Sequence, residues 1–265
     1  MGRPASSVHR YGPGADTFLE LTLPDGPSPA PVAIVLHGGF WRAAYGIELA
    51  RPLAADLAAA GFAAVAVEYR RVGRGGGWPA TLTDVAAAVD SLPGLPGADR
   101  LDLTDVTAVG HSAGGHLAAW LAGRARLPEG APGAAGAELP VRVTAAVLQA
   151  GVLDLALAAA QGLGNGAVRE LLGGGPAELP ERYAAADPVR LLPTGASVLC
   201  VHGTADAVVP VQQSEAYAAA AAAAGDRVEV RVLPGDHMTL IDPASDTWRT
   251  VRAWMTHGRA GAPYA

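Results

Sequence analysis

Short apolar runs alternate with longer segments of helical periodicity along most of this chain. Six of the runs are continuous or alternating in apolar residues and have the length of strands buried on both sides of a sheet. They are Val32–Leu36, Phe62–Val67, Val106–Val109, Val143–Gln149, Val198–Val201 and Val228–Leu233. A seventh run, Thr17–Leu23, alternates and predicts an edge strand, followed by a proline-rich turn.

The gaps between these runs predict helices that end at a glycine or before a proline. The predicted helices are Ile47–Ala60, Leu82–Leu92, Ala113–Arg126, Val211–Ala224 and Trp248–His257. This alternation is typical of an α/β protein with a mostly parallel central sheet and helices on both faces. A chain of 265 residues, 50% of them hydrophobic, fits one domain over residues 1–265 better than two small ones.

One long segment interrupts the alternation. More than forty residues separate the strand ending at Gln149 from the strand beginning at Val198, and they include two glycine clusters. An insertion at this point would overhang the strand ends where ligands bind in open α/β sheets. We therefore expect residues 151–193 to form a small helical cap, with a pair of structural packing helices as the alternative.

The strand ending at Val109 leads into Gly110-His111-Ser112-Ala113-Gly114, and a helix follows. A Gly-x-Ser-x-Gly turn between a strand and a helix is the pattern of a nucleophile elbow, which exposes the serine Oγ. A glycine-rich turn whose serine only caps the helix is the structural alternative. The strand and helix on either side favour Ser112 as a nucleophile.

A second motif, His37-Gly38-Gly39-Phe40-Trp41, directly follows the strand Val32–Leu36. Acyl transfer builds negative charge on the carbonyl oxygen, and two backbone N–H groups are needed to stabilise it. One donor is expected from Gly38, Gly39 or Phe40 and the other from Ala113. Phe40 and Trp41 are candidates to line a substrate pocket, and both could instead pack in the core.

A serine nucleophile needs a histidine base, which in turn needs a carboxylate. Asp206 and His237 both follow predicted strands, in the order Ser, acid, His. Asp154 is the alternative acid, because it also follows a strand. Asp236 is adjacent to His237 and poorly placed to face it, and Asp242 is expected in a solvated turn. His37 and His202 begin glycine turns and are expected to bond to the backbone.

Composition excludes several other chemistries. All nineteen basic residues are arginines, so Schiff-base chemistry, a Ser-Lys dyad and a P-loop lysine are impossible. The net charge of −6 has no charged block, which argues against nucleic acid or an anionic membrane and favours a small-molecule substrate. Cys200 is the single cysteine, so no intrachain disulfide can form, and its apolar run suggests a buried strand residue. The seven histidines lack metal-ligand spacing, so no metal site is expected.

Targeting signals are also missing from the pattern. Met1–Arg10 has no apolar segment of the kind a signal peptide needs, and no unbroken apolar stretch of about 18 residues is flanked as a membrane span would be. A cytoplasmic location is therefore expected. A homodimer is left open.

Together, His37-Gly38-Gly39-Phe40-Trp41, Gly110-His111-Ser112-Ala113-Gly114, His202-Gly203-Thr204-Ala205-Asp206 and Gly235-Asp236-His237 resemble the α/β-hydrolase superfamily in order and spacing. Within it, the His-Gly-Gly-x-Trp form is similar to kynurenine formamidases and to a neighbouring group of small bacterial esterases. The resemblance implies Ser112 as nucleophile, Asp206 and His237 as its partners, and an oxyanion hole from Gly38, Gly39 and Ala113. It implies no cofactor.

The expected function is hydrolysis of a small-molecule ester or amide through an acyl-enzyme. An arylformamidase acting on N-formylkynurenine is one alternative. The elbow and the acid loop also resemble prolyl oligopeptidase relatives, but these carry a large additional N-terminal domain that residues 1–31 are too few to form. An acyltransferase and a non-catalytic binding protein remain as alternatives, because a fold alone does not imply a function.

Overall fold

The computed structural model describes residues 6–26, 29–135 and 138–258. The predictions for Met1–Arg10 and for a single domain over residues 1–265 therefore extend beyond the described residues. Within these residues one sheet contains the strands β1 Ser6–Arg10, β2 Phe18–Thr22, β3 Ala30–Leu36, β4 Ala63–Val67, β5 Leu101–His111, β6 Ala145–Gln149, β7 Ser197–Gly203 and β8 Arg227–Leu233. Their spatial order is β1-β2-β4-β3-β5-β6-β7-β8. Strands β3 to β8 are parallel, and the pairings of β2 with β1 and with β4 are antiparallel.

The helices of the described part are α1 Arg51–Ala59, α2 Ala80–Asp90, α3 Ala113–Gly123, α4 Leu155–Ala160, α5 Leu163–Leu172, α6 Pro180–Ala186, α7 Gln212–Ala223 and α8 Asp246–Ala253. The predicted helix Ile47–Ala60 is shorter than expected. Ile47–Leu49 forms a separate 3₁₀ turn, and α1 begins only at Arg51. Pro52 explains the break, since it has no N–H to donate to the Glu48 carbonyl one helical turn earlier.

Side chains of alternate strand residues pack into two apolar cores, one on each face of the sheet. Val32, Ile34 and Leu36 of β3 pack on one face together with α2, α3 and α7. Ala33 and Val35 face the opposite side, where α1 and α8 cover the sheet. Helices therefore lie on both faces, as the alternation of the sequence predicted.

Two predictions about the sheet edges were wrong. Thr17–Leu23 does not form the edge, because β1 pairs with β2 from Ser6↔Thr22 to Arg10↔Phe18 and covers it. Strand β1 contains a single apolar residue, Val8, so hydrophobic periodicity gave no signal for it. Strand β8 is not buried on both sides; it lies at the other edge and leaves Val230 39% and Val232 44% exposed.

The insertion at residues 151–193 contains α4, α5 and α6 and is packed into the domain. Its buried apolar residues, among them Leu155, Leu171 and Tyr183, belong to the same core as α3. The indole N–H of Trp120 donates to the Ala185 carbonyl oxygen at 2.8 Å. The insertion therefore shares a continuous core with the sheet and its helices.

Candidate active site

The turn between β5 and α3 holds Ser112 in a strained conformation. Its backbone has φ 55° and ψ −118°, a left-handed conformation that costs a non-glycine residue about 1–3 kcal/mol. A Cβ on Gly110 would lie 2.0 Å from the Gly114 carbonyl oxygen, and a Cβ on Gly114 would lie 2.1 Å from that of Leu36. The Ser112 N–H donates to the Gln149 carbonyl oxygen at 2.8 Å. This is the backbone geometry expected of a nucleophile elbow.

The loop after β3 lies directly against this elbow. A Cβ on Gly38 would lie 3.1 Å from the Ser112 Cβ and 2.9 Å from the His111 carbonyl oxygen, so a larger residue would clash there. Ala113 is the first residue of α3, and its N–H has no acceptor within the helix. The loop that contains Gly38 and Gly39 and the first residue of α3, Ala113, thus both lie beside Ser112.

The rest of this loop is a left-handed turn. Gly39, Phe40 and Trp41 have φ values of 110°, 51° and 57°. Trp41 is completely buried, and its indole N–H donates to Nδ1 of His116 at 3.2 Å. Trp41 therefore supports the loop and offers no surface to a substrate, which corrects its placement as a pocket residue. Phe40 is half-buried, and its ring lies against Gly164 of the insertion, where a Cβ would meet it at 2.6 Å.

His237 and Asp206 meet at the ends of β8 and β7. Nδ1–H of His237 donates to Oδ2 of Asp206 at 2.7 Å, and the other carboxylate oxygen accepts the N–H groups of Val208 and Val209. Burial raises the pKa of Asp206, but the hydrogen bonds from His237 and from these N–H groups outweigh it and lower the pKa below its ordinary value. Because the Asp206 carboxylate accepts the proton on Nδ1, Nε2 is the nitrogen of His237 that can accept a proton.

The other candidate acids are engaged elsewhere. Asp154 caps α4 by accepting the Leu157 N–H at 2.8 Å. Asp236 accepts the N–H groups of its own turn, from Met238 and Thr239, and so does not pair with the neighbouring histidine ring. Asp242 accepts the Ala244 N–H in an exposed turn. Of the acids weighed, Asp206 is the one that contacts His237.

His111 joins the base to the elbow. Its Nε2–H donates to the His237 carbonyl oxygen at 2.9 Å, and the two rings lie 4.4 Å apart. Burial, followed by the adjacent His237 ring, lowers the pKa of His111 to about 3. The ring is therefore neutral at physiological pH, and it places His237 beside the residue that precedes Ser112.

The prediction that His37 and His202 bond to the backbone is confirmed. His37 Nδ1–H donates to the Gly38 carbonyl oxygen at 2.8 Å, and His202 Nε2–H donates to that of Val209 at 2.8 Å. Each ring also has a side-chain partner that the sequence reasoning missed. These partners are Glu68, 3.0 Å from His37, and Ser214, 2.8 Å from His202. Glu68 follows β4 directly, and its position at the end of a buried strand is the one signal that could have found it.

An apolar cleft lies beside the acid loop. It has a volume of about 510 Å³ and is lined in part by Leu163 of the insertion and by Val208, Pro210 and Val232. Asp206 contributes to its wall. The insertion thus shares a cleft with the loop that carries the acid.

Other kinds of site find no support in the described residues. Within them, no group of three or more histidine, cysteine, aspartate or glutamate side chains could hold a metal ion. Over the same residues, no helix is long and apolar enough to cross a membrane. Burial raises the pKa of the Cys200 thiol to about 12, so it stays protonated and unreactive.

The parallel sheet, the elbow after β5 and the acid and histidine after β7 and β8 define an α/β-hydrolase fold. Solved structures agree: a truncated carbohydrate esterase from gut microbiota superposes with a TM-score of 0.81 at 23% identity, over 98% of this chain and 99% of that one. The family model BD-FAE matches residues 19–220, and the chain belongs to that family.

Two curated relatives come from Mycobacterium tuberculosis. Esterase LipQ is 31% identical over 261 residues, which is 92% of this chain and 58% of the relative. The probable carboxylic ester hydrolase LipM is 31% identical over 194 residues, which is 71% of this chain and 44% of the relative. The chain thus spans about half the length of these two relatives.

Proposed function

We propose that this protein hydrolyses carboxylic esters of small molecules through an acyl-enzyme on Ser112. The observation that carries the proposal is the 2.7 Å hydrogen bond from His237 to Asp206, with His237 in contact with His111, the residue before Ser112 in the strained elbow. The names of the two mycobacterial relatives, an esterase and a probable carboxylic ester hydrolase, favour esters over amides.

In the proposed mechanism, Nε2 of His237 takes the Ser112 proton as Oγ attacks the ester carbonyl. The charge on the former carbonyl oxygen is stabilised by N–H groups of Gly38 or Gly39 and of Ala113. His237 then protonates the departing alcohol, and the C–O bond of the ester breaks. Water, deprotonated by the same histidine, attacks the acyl-enzyme; the bond between the acyl carbon and Oγ breaks, and His237 returns the proton to Oγ as the carboxylic acid leaves.

We further propose that the acyl group is short. Ser112 is 2% exposed and His237 is 7% exposed. Phe40 lies against Gly164, so the loop after β3 (residues 37–41, hereafter the oxyanion loop), whose Gly38 lies against Ser112, also contacts the insertion. A long acyl chain would have to separate these contacts, whereas an acetyl or propionyl group needs little room.

The test is kcat/KM for p-nitrophenyl acetate, p-nitrophenyl octanoate and N-formylkynurenine, with the Ser112→Ala protein as the blank. We expect the acetate ester to be preferred over the octanoate by roughly tenfold or more, since each methylene that fits badly changes the barrier by about 1–3 kcal/mol. Activity on all three should disappear in the blank.

The alternatives give different results in this assay. Preference for N-formylkynurenine would make the protein an arylformamidase. No turnover of any of the three would contradict ester hydrolysis and favour a binding role. Ester turnover that persists in Ser112→Ala would place the nucleophile elsewhere. The assays need neither a nucleic acid nor an added cofactor, and a cytoplasmic location stays a prediction.

A further inference from the structure

His37, at the start of the oxyanion loop, lies between two hydrogen-bond acceptors. Its Nε2 is 3.0 Å from Oε1 of Glu68, and its Nδ1 is 2.8 Å from the Gly38 carbonyl oxygen. The His37 and Glu68 side chains are 0% and 6% exposed, so water cannot replace either contact. A carbonyl oxygen can only accept, which places a proton on Nδ1. The charge of the ring then depends on whether Nε2 or Glu68 holds the second proton.

The surroundings of Glu68 keep it ionised. Its two oxygens accept the N–H groups of Ile47 at 3.0 Å and Tyr69 at 2.9 Å. The Arg71 guanidinium lies 3.5 Å from Oε2 and is itself buried, with Asp16 on its other side at 3.0 Å. Burial raises the pKa of Glu68, but the hydrogen bonds from His37 and from the backbone lower it by more, so the pKa lies below its ordinary value. With two backbone N–H donors and a guanidinium at its oxygens, the Glu68 carboxylate keeps its charge and accepts a hydrogen bond from Nε2–H of His37.

Tyr69 fixes the position of the His37 ring by two further contacts. Its ring stacks on the imidazole with centroids 4.3 Å apart and planes 4° from parallel. Its hydroxyl donates its single proton to the His37 carbonyl oxygen at 2.8 Å, and the hydroxyl oxygen lies 3.4 Å from Nδ1. Tyr69 therefore holds the His37 ring in position, and the protonation of the ring is decided by its contacts with Gly38 and Glu68.

The protonated ring holds the Gly38 carbonyl, and this has a consequence for the next residue. A peptide unit is planar and trans, so its N–H points opposite to its carbonyl oxygen. Fixing the Gly38 carbonyl on His37 therefore turns the Gly39 N–H away from His37. A positive charge at the carbonyl also polarises the peptide and strengthens that N–H as a donor.

We propose that His37, held as an imidazolium by Glu68, is the positioning residue that orients and strengthens the Gly39 N–H of the oxyanion hole. The inference rests on the proposed ester hydrolysis. It gives the buried ion pair under the loop a role in the acylation step, although neither residue touches the substrate.

The first test replaces Glu68 by Gln, which keeps the size of the side chain and removes its charge. Glu20→Gln is the matched control, because Glu20 lies on β2, outside the site, and pairs there with Arg51 of α1. Each protein is assayed on a p-nitrophenyl ester and on its thionoester analogue, whose sulfur is a poor hydrogen-bond acceptor. We expect Glu68→Gln to lower kcat for the oxygen ester by roughly ten- to a hundredfold, less than the loss of a whole donor. KM and the thionoester rate should change little.

The ratio of the two rates separates positioning from general damage. Equal losses on both esters would mean that Glu68→Gln disturbs the serine or the fold, and the proposal would be wrong. Wild-type rates of Glu68→Gln on both the oxygen ester and the thionoester would also overturn the proposal. If the wild-type protein hydrolyses no ester, the proposed function itself fails, and this outcome is distinct from both.

A second measurement needs no enzymatic activity. Long-range ¹H–¹⁵N correlation spectra of the wild-type protein with ¹⁵N-labelled histidine report how many protons each ring carries. We expect one buried histidine with both ring nitrogens protonated at neutral pH, and its signal should be lost in His37→Asn. A His37 ring with a single proton would overturn the proposal whatever the kinetics show.

Discussion

Asp206 determines which nitrogen of His237 carries the proton. Because its carboxylate only accepts, the proton stays on Nδ1 and Nε2 can act as a base. An asparagine could instead donate its amide N–H to Nδ1 and move the histidine proton to Nε2, on the side that must accept it. At this site, replacing one oxygen by NH₂ changes the chemistry with almost no change in shape.

We therefore expect Asp206→Asn to lower kcat for an ester substrate by about 10⁴-fold while the protein remains folded. Asp236→Asn is the control, since Asp236 is adjacent to the same histidine and bonds only within its own turn. That variant should stay within a few-fold of the wild type. Steady-state kinetics measure kcat for both variants, and circular dichroism verifies that they are folded. Similar losses in both variants would contradict Asp206 as the partner of His237.

Single residues were predictable where a sequence motif fixes them. Ser112 lies between Gly110 and Gly114, and Asp206 and His237 each follow a strand in the expected order, so short patterns pointed to them. Glu68 and His111 were not predicted in their roles, because each depends on which strands become neighbours. Glu68 meets His37 only because β4 pairs in parallel beside β3, with Val67 opposite Leu36.

At the scale of elements, the insertion at residues 151–193 is held by two kinds of contact. The Arg42–Glu170 ion pair is 2.7 Å long but 32% and 45% exposed, and such surface pairs contribute about 0–1 kcal/mol. Leu171, on the same helix α5, is 1% exposed in the shared core, and its carbonyl oxygen accepts the Trp78 N–H at 2.7 Å. Apolar burial therefore dominates the attachment of α5.

We expect Leu171→Ala to reduce the free energy of unfolding by about 2–5 kcal/mol. Glu170→Ala, the neighbouring control on the exposed face, should cost less than about 1 kcal/mol. Equilibrium denaturation followed by fluorescence and by circular dichroism measures both. A single shifted transition supports one cooperative domain. An early, separate transition in Leu171→Ala would show instead that the insertion unfolds as an independent lid.

Elements were predictable where burial produced a periodic pattern. The strands β3 to β7 lie in the middle of the sheet, and their continuous apolar runs identified them. The exposed strand β1 is held by main-chain pairing with β2, which leaves no hydrophobic signature. For β8, the alternation was visible, but its sequence does not reveal that no further described strand covers it.

On the scale of the whole molecule, stability depends on buried groups that the fold keeps neutral. Burial lowers the pKa of His116 to about 4 and that of His111 to about 3, from an ordinary value of 6.5. Burial raises the pKa of Asp187 from 3.8 to about 7. The histidines contribute stability above pH 6.5 that is lost as the pH falls through their folded values. Asp187 acts in the opposite sense: its contribution is present below about pH 4 and is lost as the pH rises towards 7.

Of His111 and His116, only His116 lies away from His237, so its effect on stability can be measured separately. Nε2–H donates to the Ala186 carbonyl oxygen at 2.9 Å, and Nδ1 accepts the Trp41 indole N–H. Both contacts require a neutral ring with its proton on Nε2. His116 thus joins α3, the loop after β3 and the insertion, and protonation of Nδ1 would break the contact with Trp41.

Between about pH 4 and 6.5, unfolded His116 binds a proton that the folded protein excludes, so its contribution to the free energy of unfolding falls as the pH falls. We expect His116→Gln, whose amide can keep both hydrogen bonds, to reduce proton uptake on unfolding in this range by about one proton. Leu117→Ala is the control: Leu117 is equally buried on α3, and its loss should lower stability without changing the slope. The measurement is the midpoint of urea unfolding at a series of pH values. A slope in His116→Gln equal to that of the wild type would show that His116 binds its proton over the same pH range in the folded and the unfolded protein, and would contradict a neutral buried ring.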